Sequence, residues 1–234
     1  MCLDLLGFGF SDKPKLPYTM MLQADIVEAL MAKLGVKSAH MICHDYGDTV
    51  GQELLARDLE GSLGFQVKTI NLLNGGLFPE THRARRIQTM MLSPIGPVLS
   101  RAMTRNILAK SLRPTFGKNT QPEDSELDAF WQLMSMKKGQ RVQHRLLDYI
   151  NQRKTHRTRW VEALKKSSSP IRLTVGLDDP VSGAHMANRY RELIPNPDIV
   201  ELTGIGHYPQ MEAPSPVIDS MLAHIKAFEA AHAV

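Results

Sequence analysis

Five consecutive residues, Cys43-His44-Asp45-Tyr46-Gly47, constrain this chain more than any other stretch. An apolar run over 39–43 leads into them and a helix-like run over 49–57 follows. Small-x-nucleophile-x-small between a strand and a helix is the pattern of a sharp turn that lifts its central side chain above a sheet edge. Only small side chains fit at the flanks of so tight a turn, which accounts for Cys43 and Gly47. The central group then stands near the positive end of the following helix, where an anion is favoured. Most turns of this design carry a serine at that point. Here the residue is Asp45.

The rest of the pattern frames this turn with alternating strands and helices. Residues 18–34 read as a helix, with Ile26, Val27, Leu30, Met31 and Leu34 on one face, Thr19 as its cap and Gly35 ending it. Leu3-Asp4-Leu5-Leu6 reads as the end of a short strand, cut by the turn-rich Gly7-Phe8-Gly9-Phe10-Ser11-Asp12. A strand over 68–73 ends in Asn74-Gly75-Gly76. From 77 to 168 the alternation stops: the segment is helix-like and broken by Pro94, Pro97, Pro114 and Pro122. Beyond 170 it resumes, with strands over 171–175 and 199–202 and helices over 184–193 and 217–230. This order predicts a parallel α/β sheet built from 1–76 and 169–234, with 77–168 inserted as a helical cap.

Composition limits the function classes. A chain of 234 residues, 43% of them hydrophobic, can bury a core of its own. No apolar run approaches the roughly 20 residues that span a bilayer. The opening residues lack the basic-then-apolar order of a secretory leader, and two cysteines give no disulfide framework. A cytoplasmic setting is the expectation from the sequence as written. The net charge of +4 hides an asymmetry, because residues 79–168 hold 18 Lys/Arg against 7 Asp/Glu. Solvated helix faces are the simpler account of that excess; an anionic membrane surface or partner is the alternative. No nucleic-acid-binding motif accompanies it.

Two further turns complete a chemical constellation. Gly176-Leu177-Asp178-Asp179-Pro180 follows one predicted strand, and Gly204-Ile205-Gly206-His207-Tyr208-Pro209 follows the next. Ligands of doubly wound sheets gather at the carboxyl ends of strands, where all three turns fall. Asp45 attacks saturated carbon in this reading and leaves an ester. His207 then deprotonates the water that cleaves it, and an acid orients the imidazole. Asp178 and Asp179 compete for that last task, and the spacing with Pro180 favours Asp179. The Tyr46 amide is the expected oxyanion donor. Trp131, Trp160 and Tyr149 are candidate donors to substrate, although large aromatics in a helical lid more often serve packing. His44 beside Asp45 has no companions at metal-site spacing, so neither a metal nor another cofactor is expected.

These motifs resemble the α/β-hydrolase superfamily, and within it the aspartate-nucleophile branch of haloalkane dehalogenases and epoxide hydrolases. The likeness runs over nearly the whole chain, through Asp4-x-x-Gly7-x-Gly9-x-Ser11-Asp12-Lys13-Pro14, the Asp45 turn, Gly176-x-x-Asp179-Pro180 and Gly206-His207-Tyr208-Pro209. A closer likeness is to the mesoderm-specific transcript family. It is carried by Asn74-Gly75-Gly76-Leu77-Phe78-Pro79-Glu80-Thr81-His82-Arg83, by Tyr149-Ile150-Asn151-Gln152-Arg153-Lys154 and by Arg159-Trp160-Val161. The resemblance implies a hydrolase acting on an epoxide-like or halogenated apolar or lipid molecule, associated in vertebrates with the endoplasmic reticulum membrane.

Three departures qualify it. Dehalogenases of the branch usually carry Trp after the nucleophile, where Tyr46 stands; epoxide hydrolases use two cap tyrosines, where 77–168 offers Tyr149 alone. Family members also begin with three strands and a His-Gly loop that supplies the second oxyanion amide. The chain opens inside the family's fourth strand, so the expectation is a sheet without the first three strands and an incomplete oxyanion hole. Buried backbone groups left without partners there would cost about 1–3 kcal/mol each. The competing expectation is a catalytically impaired relative whose basic cap binds a membrane or a protein partner.

Overall fold

The computed structural model describes residues 1–233. Four parallel strands form one sheet in the order β1 (Ser38–Cys43), β2 (Gln66–Leu72), β3 (Ile171–Gly176) and β4 (Asp198–Leu202). Cys43 lies opposite Leu72, and Leu72 opposite Leu173. The strands that meet in the middle of the sheet are buried on both faces, as parallel strands under helices must be. Among the described residues β1 and β4 are the edges.

Helices cover the sheet in the predicted alternation. α1 (Met20–Lys33) is capped by the Thr19 hydroxyl, which accepts the Leu22 N–H at 3.1 Å. α2 (Tyr46–Leu59) starts directly after Asp45, three residues earlier than the periodicity suggests, because the turn delivers the chain at once into helical geometry. Between β2 and β3 come seven helices: α3 (Arg86–Met91), α4 (Gly96–Ala102), α5 (Arg105–Leu112), α6 (Asp124–Ser135), α7 (Gln143–Leu146), α8 (Tyr149–Thr155) and α9 (Arg157–Lys166). α10 (Ala184–Leu193) links β3 to β4, and α11 (Pro209–Glu212) and α12 (Pro214–Ala231) close the chain. α12 begins ahead of the predicted 217 because Pro214 and Pro216 suit the first turn, where no N–H partner is needed.

The core joins the sheet to α1, α2, α10 and the end of the insertion. Trp160, Val161 and Leu164 of α9 are buried in the same cluster as Val50, Leu54, Ile70 and Leu173. Glu53 fixes that contact: its buried carboxylate accepts from Arg57 Nε at 3.1 Å, Arg159 Nε at 2.8 Å and Trp160 Nε1 at 2.8 Å. Burial alone would raise the Glu53 carboxyl, but the Arg159 hydrogen bond and its other donors hold it below its ordinary value.

The first predicted strand does not form. Residues 1–5 have no regular structure, since no neighbouring strand offers them a ladder. The Gln23 amide takes over this pairing: Leu6 N–H donates to its Oε1 at 3.0 Å, and its Nε2 donates to Leu6 O at 2.8 Å.

Candidate active site

Asp45 sits between β1 and α2 with φ +46° and ψ −103°, a backbone region that non-glycine residues rarely enter. Three contacts hold it there. Its N–H donates to Asn74 O at 3.1 Å, its carbonyl accepts from Arg153 Nη2 at 2.9 Å, and Gly47 N–H closes the turn on His44 O at 2.8 Å. The side chain is half-buried and stands over the carboxyl end of the sheet.

His207 reaches Asp45 from the turn after β4. Its Nε2 is 3.7 Å from Asp45 Oδ2, and its Nδ1–H donates to Asp179 Oδ2 at 2.7 Å. Asp179 lies in the turn after β3 and is buried, with three further donors: Val181 N–H at 2.7 Å, Ser182 Oγ at 2.7 Å and Asn74 Nδ2 at 3.1 Å. Asp178, the competing acid, is exposed. Asp45, His207 and Asp179 thus converge from three turns that lie far apart in sequence.

The electrostatics follow from this packing. Burial alone would raise the Asp45 carboxyl, but His207, then Arg153 and His44, hold it well below the usual carboxylate range. Burial would lower the His207 imidazole, yet Asp179 and then Asp45 outweigh it and raise the value to about 10. Both shifts favour the charged pair, carboxylate and imidazolium.

The turn that carries His207 is fixed from the insertion. His207 N–H donates to Thr115 O at 2.8 Å, and a Cβ on Gly206 would overlap that same carbonyl, so the close approach needs glycine. Glu212 in α11 accepts from Gly206 N–H at 2.8 Å, Tyr208 N–H at 3.0 Å, Gly117 N–H at 2.7 Å and Thr120 Oγ1 at 2.5 Å. His44 adds a strut from the other side, its Nε2–H donating to His207 O at 2.7 Å. Burial, and then the charge of His207, lowers the His44 pKa to about 4, which keeps its ring neutral at physiological pH.

Arg153 of α8 is the principal residue that pattern reading missed. It is buried behind the turn, where its Nε donates to Thr49 Oγ1 at 2.7 Å while Nη2 lies 3.8 Å from Asp45 Oδ1. Its guanidinium carbon stands 4.4 Å from the centroid of the Tyr149 ring, a cation–π contact. Asn74 was also missed as a functional group. It joins the ends of β2 and β3, donating to Gly176 O at 2.9 Å and accepting Gly176 N–H at 2.7 Å, and it contacts both Asp45 and Asp179. Asp48, one turn into α2, is fully buried and neither carboxylate oxygen has a hydrogen-bond partner. Burial pushes its carboxyl well above the usual range despite the pull of Arg153.

A cavity of about 210 Å³ opens onto Asp45, His207, Tyr149 and Tyr208, walled by Met91, Met103, Met134, Leu108, Leu112 and Leu147. Of the aromatic candidates only Tyr149 lines it, with its hydroxyl accepting from Gln88 Nε2 at 3.5 Å. The Tyr46 side chain turns into the core, 5.0 Å from the Phe8 ring, and leaves its amide at the head of α2. Trp160 is not a donor to this cavity: its indole N–H is taken by Glu53 in the core. Trp131 does not line the cavity either, although Met134, one turn further along α6, does. No group of three or more metal-ligating side chains occurs among the described residues.

A parallel sheet with Asp45, Asp179 and His207 in the turns after β1, β3 and β4 has the layout of an α/β-hydrolase. Residues 1–220 match the Alpha/beta hydrolase family, and the chain belongs to it. It is 41% identical over 236 residues to the mesoderm-specific transcript homolog protein of Bos taurus, across 97% of this chain and 70% of that one. Among solved structures it resembles a loop variant of the haloalkane dehalogenase DbeA from Bradyrhizobium elkanii, with TM-score 0.77 and 21% identity over 98% of this chain and 80% of that one. It also resembles the epoxide hydrolase CorEH, with TM-score 0.75 and 17% identity over 96% and 80% of the two chains. Those last two likenesses are of fold.

Proposed function

We propose that this chain hydrolyses an electrophilic apolar molecule through a covalent ester on Asp45. The observation that carries the reading is the side-chain order: a carboxylate on the strained turn, an imidazole 3.7 Å from it, and a buried carboxylate 2.7 Å behind. An ionised carboxylate needs no base to become a nucleophile. Asp45 forms a bond to an sp³ carbon while that carbon's bond to halide or epoxide oxygen breaks, and the electron pair leaves with the departing atom. Tyr149 lines the same cavity, and burial followed by the charge of Asp45 raises its pKa, so its hydroxyl is the donor proposed for a nascent alkoxide.

Ester formation changes the state of the base. Asp45 supplies part of the field that keeps His207 protonated, and esterification removes that charge. The imidazole pKa then falls towards its ordinary value near 6.5, and its proton passes to the alkoxide or to solvent. Neutral His207 takes a proton from water, and the hydroxide oxygen adds to the Asp45 carbonyl carbon. The Tyr46 amide, one of the free N–H groups at the start of α2, is the donor proposed for the resulting oxyanion. Collapse releases the alcohol and restores the carboxylate. The names of the solved neighbours, a haloalkane dehalogenase and an epoxide hydrolase, support this substrate chemistry.

The test is mass spectrometry of His207→Gln after exposure to long-chain epoxides and alkyl halides. A stoichiometric adduct on the peptide that contains Asp45, absent from Asp45→Asn, is the expected result. An unmodified peptide across such a panel overturns the ester mechanism and favours a binding role for the basic insertion.

A further inference from the structure

We propose that the substrate is an anionic amphiphile, whose carboxylate or phosphate head docks on Arg83, Arg85, Arg86 and Lys110 while its chain runs inward to Asp45. This inference rests on the Asp45 reading for the fate of the substrate, and on separate observations for its shape and charge.

A second hollow, of about 520 Å³, lies beside the active-site cavity and is lined by these four cations together with Ile87 and Ile107. The two hollows share Arg85, Ile87, Ser111 and Val181, so they adjoin across these four side chains. No acidic residue lines the second hollow. Nor, among the described residues, does any of its four cationic side chains form an ion pair or a hydrogen bond within the protein. The neighbouring cations of the insertion behave differently: Arg105 holds Asp124 and Asp128, Arg113 holds Asp124, and Arg157 holds Glu80.

Four like charges gathered in one hollow repel one another, and an anion relieves that repulsion. Guanidinium groups offer the paired donors that match the oxygens of a carboxylate or phosphate. The active-site cavity on the other side of Arg85 is walled largely by apolar side chains, Met91, Met103 and Met134 among them. Unbranched thioether side chains adapt to a flexible hydrocarbon better than branched ones do. Charge outside and adaptable apolar wall inside select a head and a tail in that order, with the electrophilic carbon set some way down the chain.

Binding of the full-length chain to dodecyl phosphate, dodecanoate, dodecanol and inorganic phosphate tests this, by calorimetry at low salt and below micelle formation. Both anionic amphiphiles should bind at least about tenfold more tightly than dodecanol, the sum expected from several partly exposed ion pairs. The triple substitution Arg83→Gln, Arg86→Gln, Lys110→Gln should shrink that preference to about threefold or less, whereas Arg83→Lys with Lys110→Arg retains it. Equal binding of dodecanol and dodecyl phosphate overturns the proposal, as does a preference that survives the triple substitution. Inorganic phosphate binding as tightly as dodecyl phosphate overturns it in favour of a free-anion site. Charge-dependent binding to phosphatidylserine vesicles without any preference among the dodecyl probes overturns it in favour of membrane docking. None of these measurements involves turnover, so they stand or fall separately from the Asp45 adduct.

Discussion

His207 Nε2 stands 3.7 Å from Asp45 Oδ2, beyond direct hydrogen-bond reach and within range of strong electrostatic coupling. The gap suits the two-step reaction proposed for Asp45. A closer contact would engage the nucleophile's lone pairs, and a longer one would leave no single water able to touch both groups. The coupling predicts that Asp45→Asn lowers the titration midpoint of His207 from its raised value of about 10. NMR of the imidazole ring protons follows this directly, and an unchanged midpoint would mean that Asp179 alone sets the charge of the base.

The same group makes folding stability depend on pH. The folded His207 value, about 10, exceeds that of an unfolded histidine near 6.5, so the fold favours the protonated ring. Its contribution is complete below about pH 6.5 and is lost as pH rises through about 10. Urea melts of the native chain and of His207→Gln at pH 6, 8 and 10 isolate this share as a difference, which should shrink as the pH increases.

Backbone strain at Asp45 is measurable by comparing two substitutions that both remove the carboxylate. Glycine adopts φ +46° freely and alanine does not. Asp45→Gly should therefore be more stable than Asp45→Ala by about 1–2 kcal/mol, with both inactive. Equal denaturation midpoints would show that the surrounding turn imposes no strain.

Arg153 ties the insertion to the Asp45 turn, and its geometry is specific to a guanidinium. Arg153→Met should cost about 3 kcal/mol in chemical denaturation, as expected when one member of a buried charged network is removed. Arg153→Lys should recover only part of this, because an ammonium cannot serve Thr49 Oγ1 and Asp45 O in the same fork. Full recovery by lysine would reduce the role of Arg153 to charge alone.

Gly206→Ala places a methyl against the Thr115 carbonyl and should displace the turn that bears His207. The expected outcome is a loss of about 1–3 kcal/mol, the usual range for overpacking, together with a broadened or shifted His207 resonance. A native-like spectrum would indicate that the 115–117 backbone yields instead.

The three chemical groups were legible in the sequence because each belongs to a short turn with its own local signature. Cys43 and Gly47 flank Asp45, Pro180 follows Asp179, and Gly206 precedes His207. Their support was not legible. Arg153 meets Asp45 across 108 positions of chain, and Asn74 meets Asp179 across 105. Nothing near either residue in sequence marks it as a partner. Trp160 illustrates the reverse problem, for periodicity places an aromatic on a helix face without saying whether that face meets a cavity or a core. The strand expected at the N-terminus failed for a related reason. Alternation in a sequence encodes two faces, but a strand also requires a neighbour to bond with, and among the described residues β1 pairs only with β2.

The clasp made by Glu212 couples the insertion to the turn that bears His207. One carboxylate joins the amides on either side of His207 to Gly117 and Thr120, so that corner of the roof cannot swing without dragging the imidazole along. Ile87, Gln88 and Met91 of α3 border the same cavity and take no part in this clasp, so the walls of one hollow are held by unequal ties.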